Sequence, residues 1–580
     1  MNPDVSAALL VAALAVPALG ALAVALMPAA RDRQARVLGT VIAAVPLILT
    51  VPLRWGSAES GWFAYRPPTA PSLLPWALVD LPWVPALGLR FQLGVDAISY
   101  PLVVLTALLT LLCCGYTVWR VPPGGPGRLL TALLLVIEVG ILGTFLAFDL
   151  ILFFVFFEVV LLPMYAVIAV WGGAHYGPDS ADRAPQRAAA RKFALYTLFG
   201  SVLLLVGVLV VVTSAGTSSL LDAPFRLDRS TQVFAFTLLA IAFAVKSPLW
   251  PLHTWLPDAH TQAPTVGSVI LAGVLLKMGT YGLVRVGLGA TPEGAQAASG
   301  VLGVLAVAAI LIGSLVCLAQ TELKRLIAYS SVGHMGFVLL GVATLTATGI
   351  QAALLGNIAH GVLTGLLFFL AGAVKDRAHT GHLDELGGLR ENAPRLAGLL
   401  GFAAIASLGL PGLAGFWGEA FAVVAAVQRD GGLWITLAVL SAIGGALTAA
   451  YLLRLLRRVT HGPAAPAVSL LVPSWSVAGA LSAAVAARSA EPTDAAPAAG
   501  TGAGLGVASG GGGSSGGSGD EEVPVVAGLP ERLAPGWPTA AELLAWSPLV
   551  ILALVLGVYP ALVLSGTDVP IGNLLEAVRP

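Results

Sequence analysis

The chain is 580 residues long, 57% hydrophobic and only 10% charged, with a mean hydropathy of +0.89 and a formal net charge of zero. So little polar surface cannot clothe a water-soluble fold of this size, and no basic excess marks a nucleic-acid partner. Cys113, Cys114 and Cys317 sit inside apolar runs without CxxC or cluster-ligand spacing, and no Gly-rich phosphate loop follows a strand, so nucleotide and redox chemistry are expected in other chains.

A membrane span needs about 20 apolar residues. Fourteen such stretches are expected, at about 5–29, 37–54, 96–119, 129–148, 150–170, 193–213, 232–251, 265–286, 299–320, 325–345, 350–374, 395–425, 433–456 and 545–565. The first has no Lys or Arg before it, unlike a signal peptide, and reads as a retained span. With the N-terminus outside, eighteen Lys and Arg fall in the short inside loops, from Arg31 to Arg458, against eight outside. The positive-inside bias therefore supports fourteen spans with both termini outside. Residues 468–487 are less apolar, carry Pro473 and are read as loop; behind them "SGGGGSSGGSGDEE" has the composition of a flexible linker. The stretch 462–543 is expected to be a poorly ordered insertion without chemistry.

Charges remain where lipid should be. Lys246 and Lys277 lie within apolar runs, although the chain has 25 Arg and only 5 Lys. A buried Lys can release its proton whereas Arg cannot, so the choice of Lys points to proton movement. Glu138 in "LLLVIEVGILG", Glu158 in "FFVFFEVVLLP" and Glu419 in "LAGFWGEAF" repeat the pattern. Each charge at mid-membrane costs about 2.5–3.5 kcal/mol on insertion scales, too much for decoration five times over. The plainer alternative, a static pin between helices, weighs most for Glu138, and Asp149 reads as a surface cap at a helix junction. His334 in "YSSVGHMGF", near the inside end of span 10, and His360 in "GNIAHGVLTG" are relay candidates, with Tyr329, Ser330 and Ser331 offering hydroxyls for a water file near His334.

Two spans read as interrupted. Pro248 and Pro251 follow Lys246, and Pro411, Gly412 and Gly415 precede Glu419. Irregular backbone at membrane depth survives only where protein or water satisfies it. Two breaks five spans apart predict an all-α polytopic membrane protein with two inverted five-helix repeats, spans 4–8 and 9–13, discontinuous at spans 7 and 12. The expected organisation is residues 1–128 (spans 1–3 and an outside loop), 129–288 and 289–460 (the two repeats), 461–543 (the Gly/Ser/Ala-rich inside loop) and 544–580 (the last span and tail).

The motifs "FFEVVLLPMY", "AVKSPLWPLHTWLPDAHTQAPT", "LAGVLLKMGTYGLVR", "LKRLIAYSSVGHMGF", "IAHGVLTGLLFFLAG" and "LPGLAGFWGE" resemble the antiporter-like proton-pumping subunits of respiratory complex I through residues 90–460 and again at 545–565. Glu419, where related subunits usually carry Lys, makes the chain similar to the M-type subunits of bacterial NADH:quinone oxidoreductase. The resemblance implies Glu158 and Lys246 as an ion pair, Lys277 as the central relay and Glu419 as the exit-side group. It implies no cofactor in this chain, with NADH, FMN, iron–sulfur clusters and quinone in partner subunits. It also implies L-type and N-type neighbours in a bacterial cytoplasmic membrane. An ion pair about 4 Å apart at an effective dielectric near 20 is worth roughly 4 kcal/mol. One charge moved against 100 mV needs about 2.3 kcal/mol. Opening and closing the Glu158–Lys246 pair would suffice to drive a proton to Lys277 and past His360 to Glu419. Rival readings are a cation/proton antiporter subunit, the membrane arm of a hydrogenase complex, and a scaffold that does not pump.

Overall fold

The computed structural model describes residues 3–55, 75–173, 182–469, 471–472, 534–535, 538–576 and 578. Thirteen of its helices are long and apolar enough to cross a membrane. In chain order, spans 1–6 are Asp4–Leu26, Ala29–Arg54, Tyr100–Trp119, Gly127–Leu146, Leu150–Trp171 and Ala184–Ala215. Spans 7–11 are Arg229–Lys246, Thr265–Leu288, Pro292–Ala319, Leu323–Ala343 and Ala347–Ala378. Spans 13 and 14 are Gly432–Thr460 and Ala540–Val558. Span 12 escapes a length criterion because it is split into Pro394–Ser407 and Ala414–Arg429. The fourteen expected spans are therefore all present among the described residues. Most of the 468–487 stretch and of the insertion around it lies outside them.

Burial sorts the spans. Span 8 is 100% buried over its apolar window, and spans 10 and 11 are 89% and 94% buried, whereas spans 1, 2 and 13 fall to 39%, 28% and 33%. Large aliphatic side chains such as Leu19, Leu195 and Val301 point outward from the peripheral spans, as lipid-facing positions do. The central spans approach closely because lipid supplies no hydrophobic force to hold them and small residues permit backbone contact. A Cβ on Gly361 of span 11 would lie 2.6 Å from the carbonyl oxygen of Gly273 on span 8, and one on Gly418 would lie 2.6 Å from Cα of Gly356 on span 11.

An antiparallel hairpin, β1 (Ala77–Val84) and β2 (Leu89–Val95), precedes span 3, with Ala77 opposite Val95 and Asp80 opposite Gln92. It was not anticipated within an all-helical reading; its turn closes through Pro85–Leu87 and Gly88 at φ 67°. Asp149 does cap a helix, accepting from the amides of Ile151 and Leu152 at 2.9 Å each and from the Ser218 hydroxyl. It is fully buried rather than at the surface, and this burial raises its carboxyl above the ordinary value against the pull of those donors. Span 14 is pinned to the core by a bidentate pair, Arg377 Nη1 to Glu542 Oε1 at 2.8 Å and Nη2 to Oε2 at 2.6 Å, while Thr539 and Glu542 form a capping box. A Cβ on Gly557 would sit 2.1 Å from the Gly412 carbonyl, so span 14 closes over the break in span 12.

Candidate functional site

Three backbone irregularities position the charges within the spans. Pro163 has no amide to offer the carbonyl of Val159, and span 5 bends there into Leu150–Val159 and Leu161–Trp171, with Glu158 just before the bend. Span 7 ends at Lys246, runs irregularly through Pro248 and Pro251, and resumes as Trp255–Gln262. Carbonyls freed at the break find partners: Trp255 Nε1 donates to Val245 O at 3.0 Å, and the amide of Leu249 donates to Ala244 O at 2.9 Å. Span 12 breaks between Ser407 and Ala414, where Gly409 and Gly412 take φ of 82° and 91°, a region L side chains rarely adopt. A Cβ on Gly409 would lie 3.1 Å from Glu419 Oε2, so the break folds toward that carboxylate.

Span 8 carries the central lysine. Its helix widens into π-turns at Leu271–Leu275 and Leu283–Leu288 on either side of Lys277, a distortion frequent at functional sites. Lys277 is 0% exposed. Its Nζ donates to Ala272 O at 2.5 Å and lies 2.5 Å from His360 Nδ1 on span 11. The His360 ring lies 5.7 Å, centroid to centroid, from His334 on span 10, and His334 Nδ1 is 2.7 Å from Glu419 Oε1 on span 12. Four titratable groups from four spans therefore form one line. Nε2 of both histidines has no protein hydrogen-bond partner among the described residues. Both rings and Glu419 border a cavity of about 20 Å³, room for a single water. An imidazole can take a proton on one nitrogen and release it from the other, which suits the two middle positions of such a line.

The first half of the expected path differs from the sequence reading. No ion pair joins Glu158 to Lys246 among the described residues. The Ser201 hydroxyl donates to Glu158 Oε1, and Lys246 Nζ sits 4.4 Å from the centroid of the Phe157 ring, a cation–π contact. The carboxylate and the ammonium are each held by a different neighbour, so the pair is open. No hydrogen bond joins Lys246 to Lys277 among the described residues, but the residues beside them are joined, Ser247 Oγ donating to Leu276 O at 3.3 Å. Glu138 is 0% exposed and neither of its oxygens has a hydrogen-bond partner among the described residues, which does not fit a static pin. Of the hydroxyls near His334, Ser330 and Ser331 donate back to Ile327 O at 2.8 and 3.3 Å, which leaves their oxygens as acceptors. His334 itself is joined to Glu419 rather than standing at the inside end of its span.

Sequence reasoning missed several residues. His260, fully buried in the second half of span 7, stacks on Phe368 at 4.5 Å with both ring nitrogens unpartnered by the described residues. Ser201 engages Glu158, and Asn357 Oδ1 lies 2.9 Å from the hydroxyl of Thr280, which in turn lies 3.2 Å from the Lys277 carbonyl. The helical spacing of Asn357 to His360 and the two histidines inside "PLHTWLPDAH" were the available signals. The described residues contain no group of three or more His, Cys, Asp or Glu placed to hold a metal ion.

The family model described as NADH:quinone oxidoreductase/Mrp antiporter, TM, matches residues 147–448, which include Glu158, Lys246, Lys277, His334, His360 and Glu419. The chain is 42% identical over 395 residues to NAD(P)H-quinone oxidoreductase chain 4 1 of Synechococcus sp. (strain JA-3-3Ab), covering 67% of this chain and 72% of that protein. It is 40% identical over 397 residues to NADH-quinone oxidoreductase subunit M of Rhodobacter capsulatus, covering 66% of this chain and 74% of that one. Among solved structures, a chain of respiratory complex I from Thermus thermophilus superposes with a TM-score of 0.74 at 26% identity, over 99% of this chain and 100% of that chain. A chain of the Mrp complex from Dietzia sp. DQ12-45-1b shares the fold at a TM-score of 0.75 and 23% identity, over 100% of both chains. On these matches the chain belongs to the NADH:quinone oxidoreductase/Mrp antiporter transmembrane family.

Proposed function

We propose that this chain is the M-type membrane subunit of an NADH:quinone oxidoreductase and moves protons through its own buried residues. The observation that carries the reading is the line Lys277–His360–His334–Glu419, drawn from spans 8, 10, 11 and 12, with 2.5 Å from Lys277 Nζ to His360 Nδ1, 5.7 Å between the two ring centroids and 2.7 Å from His334 Nδ1 to Glu419 Oε1. In this reading Lys277 receives a proton, the two imidazoles pass it on, and Glu419 delivers it to the exit side. Glu158 and Lys246 act upstream: the open arrangement leaves Lys246 over Phe157, and closure onto Glu158 would draw its charge away from Lys277. Glu138, buried in span 4 without a hydrogen-bond partner among the described residues, belongs to the same chain of carriers. NADH, FMN, iron–sulfur clusters and quinone belong to partner subunits, with L-type and N-type neighbours in a bacterial cytoplasmic membrane and both termini outside. The breaks at spans 7 and 12, five spans apart, support an inverted repeat of residues 129–288 and 289–460.

A cation/proton antiporter would need several oxygens converging on the cation. Glu419 instead spends Oε1 on His334. The deciding experiment is Lys277→Met in the assembled complex, with NADH oxidation and proton uptake recorded together in inverted membrane vesicles. The reading expects normal subunit levels and a lost contribution to proton uptake, unaltered when choline replaces sodium. Normal uptake with Lys277→Met would remove the relay, and sodium-dependent uptake would favour the antiporter.

A further inference from the structure

A pump must keep its central site from opening to both faces at once. Lys277 lies eight residues before Arg285 on span 8, about 12 Å at 1.5 Å per residue. Arg285 stands on the face that the positive-inside count assigns to the outside. It is buried, with 7% of its side chain exposed, and pairs with Asp96 at the foot of span 3. Its Nε lies 3.2 Å from the Tyr281 hydroxyl, and its guanidinium lies 5.0 Å from the centroid of the Phe148 ring and 5.6 Å from that of Tyr281. The Tyr281 hydroxyl donates to Phe145 O at 3.0 Å. Asp96 is committed on its other oxygen too, accepting from the amides of Ile98 and Ser99 at 3.1 and 2.9 Å.

We propose that Asp96, Arg285 and Tyr281 are the outside seal of the Lys277 site, barring a direct route along span 8 so that protons leave only by way of Glu419. Two independent features carry this. First, the cluster does not act as a wire: the guanidinium keeps its proton, both oxygens of Asp96 accept hydrogen bonds, and the Tyr281 hydroxyl already donates to Phe145 O and lies against Arg285 Nε. The same helix thus has Lys where a proton moves and Arg where it must not. Second, a cavity of about 20 Å³ is lined both by Tyr281 of the cluster and by Thr280 and Asn357, the hydrogen-bonded pair beside the Lys277 carbonyl. Its remaining wall is aliphatic, with Leu102, Val284 and Ile571 among its lining, so space for one water exists beside the seal on the Thr280 flank of span 8. Hydrophobic constrictions and a fixed Arg are the two means by which pores exclude protons and ions.

The inference rests on Lys277 being a proton site, and its test separates the two. Inverted vesicles carrying the assembled complex are energised with NADH, turnover is stopped with a quinone-site inhibitor, and decay of the pH gradient is followed. Arg285→Gln with Asp96→Asn, which keeps the volume but is hydratable, should assemble, oxidise NADH, and lose its gradient about threefold faster or more. Adding Lys277→Met should return the decay to the wild-type rate, because the leak runs through that lysine. Arg285→Lys keeps the ion pair and hence the fold, yet can release a proton, and should leak as well. A double variant that assembles and holds its gradient, an Arg285→Lys complex as tight as wild type, or a leak that survives Lys277→Met would each overturn the seal and leave the pair a structural pin. Failure of the pump reading shows elsewhere, as normal proton uptake by Lys277→Met alone.

Discussion

His360→Leu interrupts the line at its best-connected point. His360 Nδ1 is one of two groups that Lys277 Nζ touches, at 2.5 Å, the other being Ala272 O at the same distance. A hydrogen bond to a charged group is worth about 1.5–3 kcal/mol, so the variant loses that much for the protonated lysine. At 1.36 kcal/mol per factor of ten, proton transfer through this site should slow about 10- to 150-fold. Leucine is apolar and fills much of the imidazole volume, so the space should stay dry, and the subunit should still assemble. The assay is proton uptake per NADH oxidised in inverted vesicles, with the subunit quantified in the same membranes. His360→Gln is the control, because the amide can accept from Lys277 but cannot carry a proton. Near-normal uptake by the Gln variant would mean that the imidazole merely positions Lys277. Near-normal uptake by the Leu variant would refute the line itself.

Lys246→Arg retains a cation able to sit over Phe157 and pair with Glu158, yet it cannot release its proton; the complex should assemble and scarcely pump, and normal uptake would make Lys246 a helix pin. Glu158→Gln keeps an oxygen for the Ser201 hydroxyl but no charge to draw Lys246 across, so uptake should fall at unchanged subunit levels, whereas Ser201→Ala should be much milder. Gly361→Ala places a Cβ 2.6 Å from Gly273 O, forcing spans 8 and 11 apart beside His360 at a cost of about 1–3 kcal/mol; a pumping defect larger than the loss of thermal stability would locate the damage in the relay. Arg377→Met strands the buried carboxylate of Glu542, a loss of about 3–5 kcal/mol that should lower the amount of assembled subunit, and adding Glu542→Gln should recover part of it.

The path of the chain through the membrane was legible from residue order alone, because a span is a local property. Twenty apolar residues between charged loops insert whatever their neighbours do, and Pro and Gly break a helix where they stand. Hence the spans, the breaks after Lys246 and before Glu419, and the charges placed inside apolar runs followed from the sequence together with the cost of charge in lipid, whereas His260, Asp149 and the Asp96–Arg285 pair needed the packing to show that they are buried. The hairpin at Ala77–Val95 was less legible because its pairing is specified by alternation over a few residues inside an otherwise loop-like stretch.

Which buried groups meet was decided by packing between spans. Lys277 and His360 are 83 residues apart and meet because Gly273 and Gly361 let their helices touch at the backbone; His334 and Glu419, 85 residues apart, meet where Gly356 and Gly418 do the same for spans 11 and 12. The expected contact of Glu158 with Lys246 did not form, although both lie within spans, Lys246 buried and Glu158 half-buried. Ser201 and Phe157, each unremarkable in sequence, hold them instead. The composition of a chain states which charges the membrane must accommodate, since the transfer cost belongs to each residue by itself. The partner that accommodates each charge is a property of helix faces and crossing points, and those exist only once the spans have packed.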